Sequence, residues 1–120
     1  MSKKTLVIGA SENPERYAYK AVKSLLGKGH EVIAEGLRTG KIDNVNISNE
    51  KKVYEDVDTI TLYVGPKNQP SWYDYIISLH PKRIILNPGT ENEELISLAK
   101  ENNIHTEEAC TLVMLSIGNY

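Results

Sequence analysis

The sequence predicts a single α/β domain with a mostly parallel sheet and helices on both faces, three layers in all. Short apolar, β-branched runs alternate with segments of helical period along the 120 residues, the pattern of strands joined by crossover helices. Residues 4 to 36 have the length of one βαβ unit. Gly9, Gly36, Gly65 and Gly89 fall at or just beyond four strand ends, along the carboxyl edge where such sheets bind ligands.

The first strand is expected over Lys4 to Gly9. Asn13-Pro14 then opens a helix whose apolar face is Ala18, Ala21, Val22, Leu25 and Leu26, an i, i+3, i+4, i+7, i+8 stripe. Pro14 suits its first turn, and Gly27 and Gly29 suit its exit. Glu31 to Glu35 is the second strand, ended by Gly36. From Leu37 to Val57 the pattern is weakest: Thr39-Gly40 marks a turn and Val45-Asn46-Ile47 alternates like an edge strand.

Thr59 to Val64 is a third strand, stopped by Gly65-Pro66. A helix follows from Gln69 or Pro70 to Leu79, broken at His80-Pro81. Arg83 to Asn87 is a fourth strand, ended by Pro88-Gly89. Thr90-Glu91-Asn92-Glu93 has capping-box spacing ahead of a helix bearing Leu95, Ile96, Leu98 and Ala99. Ile104 to Glu107 is the last strand, and Cys110 to Leu115 begins a closing helix.

Composition narrows the function classes. A net charge of −2 provides no field for nucleic acid or anionic membrane. No apolar run approaches the roughly 20 residues of a membrane span, and the start lacks the apolar stretch of a secretion signal. One cysteine permits no internal disulfide and suits a reducing, cytoplasmic setting. His30, His80 and His105 have no metal-ligand spacing, so no metal is expected.

Gly9-Ala10-Ser11-Glu12-Asn13-Pro14-Glu15-Arg16 is the most informative stretch. A strand ending on glycine and turning into a helix aims free N–H groups and a positive helix end at one point, a seat for phosphate. Only the first glycine of the dinucleotide fingerprint is present, because Ser11 and Pro14 stand at the other two positions. The side chain at Ser11 holds a ligand further from the backbone than NAD sits. Arg16 suits phosphate as a guanidinium, or it pairs with Glu12 or Glu15 in water.

Gly9-Ala10-Ser11-x-Asn13-Pro14-x-Arg16, the entry Lys28 to Ile33, and Asn92-Glu93-Glu94 ahead of a late cysteine together resemble the small stand-alone CoA-binding proteins. Their domain is similar to the CoA-binding domain of succinyl-CoA synthetase. The resemblance spans essentially the whole chain. It implies a Rossmann-like domain whose first loop holds CoA phosphates, with the adenine side beyond strand two. Family members usually place Asn-Pro after strand two, where this chain has Ala34-Glu35-Gly36-Leu37-Arg38. Pro-Ser after the motif arginine is Tyr17-Ala18 here, and Asp-Arg-Cys-Pro is Glu108-Ala109-Cys110-Thr111.

The expected function is non-enzymatic binding of CoA or acyl-CoA. Gly9, Ala10, Ser11, Asn13 and Arg16 would hold phosphates. Arg38, beside Gly36, would take the 3′-phospho-ribose edge. Gly65, Pro66, Asn87, Gly89 and Cys110 complete the candidate set, with no catalytic residue. Glu35 at the end of strand two would instead suit the ribose hydroxyl of an NAD(P)-dependent oxidoreductase, and loss of any ligand would leave a regulatory interaction module. Asn87-Pro88-Gly89-Thr90 is either a second anion cradle or a helix cap. Cys110 is either a buried small hydrophobe or a thiolate favoured by the following helix, open to a mixed disulfide with CoA. Tyr17 and Tyr19 flank a ligand mouth or cover a loop. Trp72 and Tyr75 are expected in the core or in a homodimer contact.

Overall fold

The computed structural model describes residues 2–120. Its strands are β1 (Thr5–Ile8), β2 (Val32–Glu35), β3 (Gly40–Ile42), β4 (Val45–Ser48), β5 (Thr59–Leu62), β6 (Arg83–Leu86) and β7 (His105–Glu108). They form one seven-stranded sheet in the order β3-β4-β2-β1-β5-β6-β7. Every pairing is parallel except β3 with β4. The helices are α1 (Tyr17–Gly27), α2 (Tyr73–Ser78), α3 (Glu93–Glu101) and α4 (Thr111–Ile117).

Two cores sandwich the sheet. Leu6, Ile8, Ile60, Leu62, Ile84 and Leu86 face Trp72, Ile76, Leu95 and Ala99 on one side. Val7 and Ala34 face Ala18, Val22, Leu25 and Leu115 on the other. Alternation along each strand thus feeds both layers, as a doubly wound sheet requires. The sheet order reverses at β1, where the chain goes outward to β2 and later returns to β5, so the crevice between them opens above β1.

The expected edge strand over 45–47 is β4, and it lies inside the sheet. The edge is β3, which the expected turn at Thr39-Gly40 hid: Gly40 is its first residue, pairing with Ile47, and the turn falls instead at Asp43-Asn44. Asp43 takes the positive φ of 51° that this reversal needs, and Lys23 of α1 holds its carboxylate at 3.0 Å.

Three helix starts differ from expectation. Arg16, with extended backbone, is the cap of α1, so the helix begins after Asn13-Pro14 and not with it. Asn13 forms a turn of its own, accepting from Glu15 N–H on its side chain (3.0 Å) and from Arg16 N–H on its carbonyl (3.0 Å), which competes with helix locally. Before α3 the cap is Asn92, whose Oδ1 accepts from Glu94 N–H at 3.0 Å. Thr90 donates back to the Asn87 carbonyl at 2.8 Å, so the capping box does not form. The helix expected from Gln69 or Pro70 to Leu79 opens as a 3₁₀ turn, Pro70–Trp72, before the short α2, and a further 3₁₀ turn, Pro66–Asn68, precedes it. Each turn starts on a proline, whose missing N–H breaks the α ladder.

Candidate functional site

A crevice of about 1270 Å³ runs along the carboxyl edge of the sheet. The loop after β1 forms its floor, Leu37 to Thr39 one wall, and Val64 to Trp72 with Pro88 to Thr90 the other. Of the candidate residues, Gly9, Ala10, Ser11, Asn13, Arg16, Arg38, Gly65 and Gly89 line it. Gly36, Pro66, Asn87 and Cys110 do not.

The floor is built by close backbone packing. Gly9 has φ +94°, and a side chain there would meet the Tyr63 carbonyl group at 2.9 Å. Gly36 packs on the Ala10 carbonyl, 2.5 Å from where a Cβ would stand. Both glycines are thus required for the strands to end side by side. Gly9 and Ala10 donate their N–H groups to the Glu35 carbonyl (2.9 and 3.1 Å). Asn13 N–H donates to Ser11 Oγ at 3.1 Å. Among the described residues, the Ser11 and Glu12 amides donate to no protein acceptor. This loop offers open N–H groups where a phosphate would seat.

The second cradle is closed. Gly89 N–H already donates to the Glu91 carboxylate (2.9 Å) and Thr90 N–H to the Asn87 carbonyl (2.9 Å). Asn87, 2% exposed, is a buried strut. Its Nδ2 donates to Thr61 Oγ1 and the Leu62 carbonyl, and its Oδ1 accepts from Thr111 N–H. Gln69, wholly buried, braces the wall: Nε2 donates to the Val64 and Thr90 carbonyls at 2.8 Å each, and Oε1 accepts from Asn92.

Three cations, Arg16, Arg38 and Lys67, line the crevice, with Glu12 as the sole carboxylate. Glu12 is turned to β3, accepting from Lys41 N–H at 2.9 Å, so it does not neutralise Arg16. Among the described residues none of the three cations forms an ion pair. A cleft with three cations to one carboxylate, in a chain of net charge −2, focuses positive field on an anionic ligand. Tyr17 and Leu37, both strongly exposed apolar side chains, stand at its mouth.

Glu35 is wholly buried and turned out of the crevice. Its carboxylate accepts from Lys51 N–H (2.8 Å), Lys52 N–H (3.1 Å) and Tyr54 hydroxyl (2.7 Å). Lys51 then reaches the opposite wall, donating to the Ser71 carbonyl at 2.6 Å and lying 4.6 Å over the Trp72 ring. Trp72 is buried, tilted against Tyr75, and borders the crevice.

A family model described as a CoA binding domain matches residues 3–116. The chain belongs to this CoA-binding domain family. A crystal structure of a protein described only as uncharacterized is similar to it, with 52% identity over all of this chain and 99% of the other, at TM-score 0.97. A protein from Thermus thermophilus shares the fold at 20% identity, over 99% of this chain and 91% of that one, at TM-score 0.87. A dinucleotide-forming acetyl-coenzyme A synthetase from Ca. Korarchaeum cryptofilum, solved with phosphate and ADP, contains the same fold. It is 18% identical over 89% of this chain and 25% of that one, at TM-score 0.74. No protein of curated function matches the chain.

Within this CoA-binding domain, Cys110 caps α4 and is half-buried outside the crevice. Among the described residues no three potential metal ligands gather, and no helix is long and apolar enough to cross a membrane. Lys67 was not legible as a site residue. Its signal was a cation two positions beyond Gly65, on the edge that the other three glycines mark.

Proposed function

We propose that the crevice binds CoA or acyl-CoA without chemistry contributed by dedicated catalytic groups. The diphosphate sits on the Ser11 and Glu12 amides beside Arg16, and Arg38 takes the 3′-phosphate beyond β2. The observation that carries this reading is the pairing of open amides with unneutralised cations in one crevice. Charge-assisted contacts of this kind are the strong ones. Membership of the CoA-binding domain family supports the choice of ligand.

An NAD-type site is disfavoured by Glu35, because three protein donors occupy the carboxylate that would hold the ribose hydroxyls. Calorimetric titration with CoA, dephospho-CoA and NADPH tests the reading. The expected result is saturable CoA binding, weakened without the 3′-phosphate. NADPH binding alone would favour the oxidoreductase, and silence from all three an interaction module.

A further inference from the structure

We propose that Lys67 is a self-acylation site, taking the acyl group of a CoA thioester held in the crevice; this rests on the CoA reading above. Strand order lays the crevice out as a line, β2-β1-β5-β6. With the diphosphate on the loop after β1 and the 3′-phosphate at Arg38 beyond β2, the acyl arm runs the other way, over β5 toward β6. Adjacent strands lie about 4.8 Å apart, so two strand steps are about 10 Å, a short distance for an extended arm.

The acceptors on that half are few. Thr90 Oγ1 donates to the Asn87 carbonyl (2.8 Å) and Ser71 Oγ to the Asn68 carbonyl (3.2 Å). The Tyr63 phenol oxygen is buried, and burial keeps it protonated. Of the two primary amines on that wall, Lys51 is held on the Ser71 carbonyl and over Trp72, whereas Lys67 lines the crevice with no hydrogen-bond or ion-pair partner among the described residues. Its turn, Pro66–Asn68, abuts the buried Gln69 brace.

In the step, the lysine ammonium first gives a proton to water. The neutral Nζ adds to the thioester carbonyl carbon, a C–N amide bond forms, and the C–S bond breaks. CoA leaves as thiolate and is protonated by the hydrogen the amine loses. Lysine ammonium and acyl-CoA become acyl-lysine, CoA and one proton, with no oxidant or reductant.

The test is site-resolved mass spectrometry of the whole protein incubated with acetyl-CoA. Lys82 serves as internal control, since its side chain is 83% exposed and it precedes β6 at the opposite end of the sheet. Holding amine and thioester together predicts that Lys67 is acetylated about tenfold faster than Lys82 or more. Excess CoA and Arg16→Ala should each bring it down to the Lys82 rate. A thioester of N-acetylcysteamine, lacking phosphates, should modify both lysines alike, and Lys67→Arg should remove the fast adduct. Equal rates at Lys67 and Lys82 alongside saturable CoA binding would overturn the acylation site and leave the binding reading intact. Absence of CoA binding by calorimetry would remove both.

Discussion

The Glu35 carboxylate and the Tyr54 hydroxyl meet at 2.7 Å beneath the outer wall of the crevice. Burial and the neighbouring carboxylate both push the Tyr54 phenol up, so it stays a donor at any working pH. Together they clip residues 51–54 to the end of β2.

Glu35→Ala is therefore expected to cost about 3 kcal/mol, because it strands three donors that lose a charged acceptor. Tyr54→Phe removes one bond and should cost about 1 kcal/mol. Urea unfolding of each variant checks the ranking; an equal or reversed order would mean that the backbone donors do not depend on the carboxylate.

Arg16→Ala should weaken CoA at least about tenfold, as hydrogen bonds to charged groups are worth roughly 1.5–3 kcal/mol. Arg38→Ala should weaken CoA yet leave dephospho-CoA nearly unchanged. Calorimetry of both variants with both ligands separates the two roles. Equal losses for dephospho-CoA would place Arg38 elsewhere on the ligand.

Tyr63 borders the crevice while its hydroxyl lies buried without a hydrogen-bond partner. Tyr63→Phe removes an unpaired polar atom, so stability should rise, by about 1 kcal/mol. A thermal melt decides. A fall would mean the hydroxyl bonds to Thr61 or Thr111, which adjoin it.

His30 accepts from Lys3 N–H on Nδ1 (2.9 Å) and packs edge-on against Tyr120 at 4.9 Å. Burial, then nearby positive charge including Lys3 and Arg83, lowers its pKa below 6.5; Asp58 opposes this weakly. The unfolded chain then binds the proton first, so stability falls as pH drops below about 6.5 through the lowered folded value. His30→Gln should flatten that part of the melting profile. An unchanged slope would assign it to other groups.

Much of the fold was legible because buried parallel strands read as dense β-branched runs. Thr5–Ile8, Thr59–Leu62 and Arg83–Leu86 are each buried at every position. The β3–β4 hairpin was not, since Gly40-Lys41-Ile42 is three residues long and half-exposed, too short for a period to show. That the loop from Gly9 to Arg16 lines a crevice was readable because its geometry is local. Long-range partnerships hid elsewhere: nothing near Glu35 announces the amides of Lys51 and Lys52, and nothing near Asn87 announces Thr61 and Thr111.

Gln69 joins the segment after β5 to the segment after β6 through two carbonyls and Asn92. The two segments are consequently one mechanical unit. A chimaera importing only one of them from a relative would leave a buried amide facing a mismatched neighbour, so any grafting of ligand preference along this wall has to carry both across together.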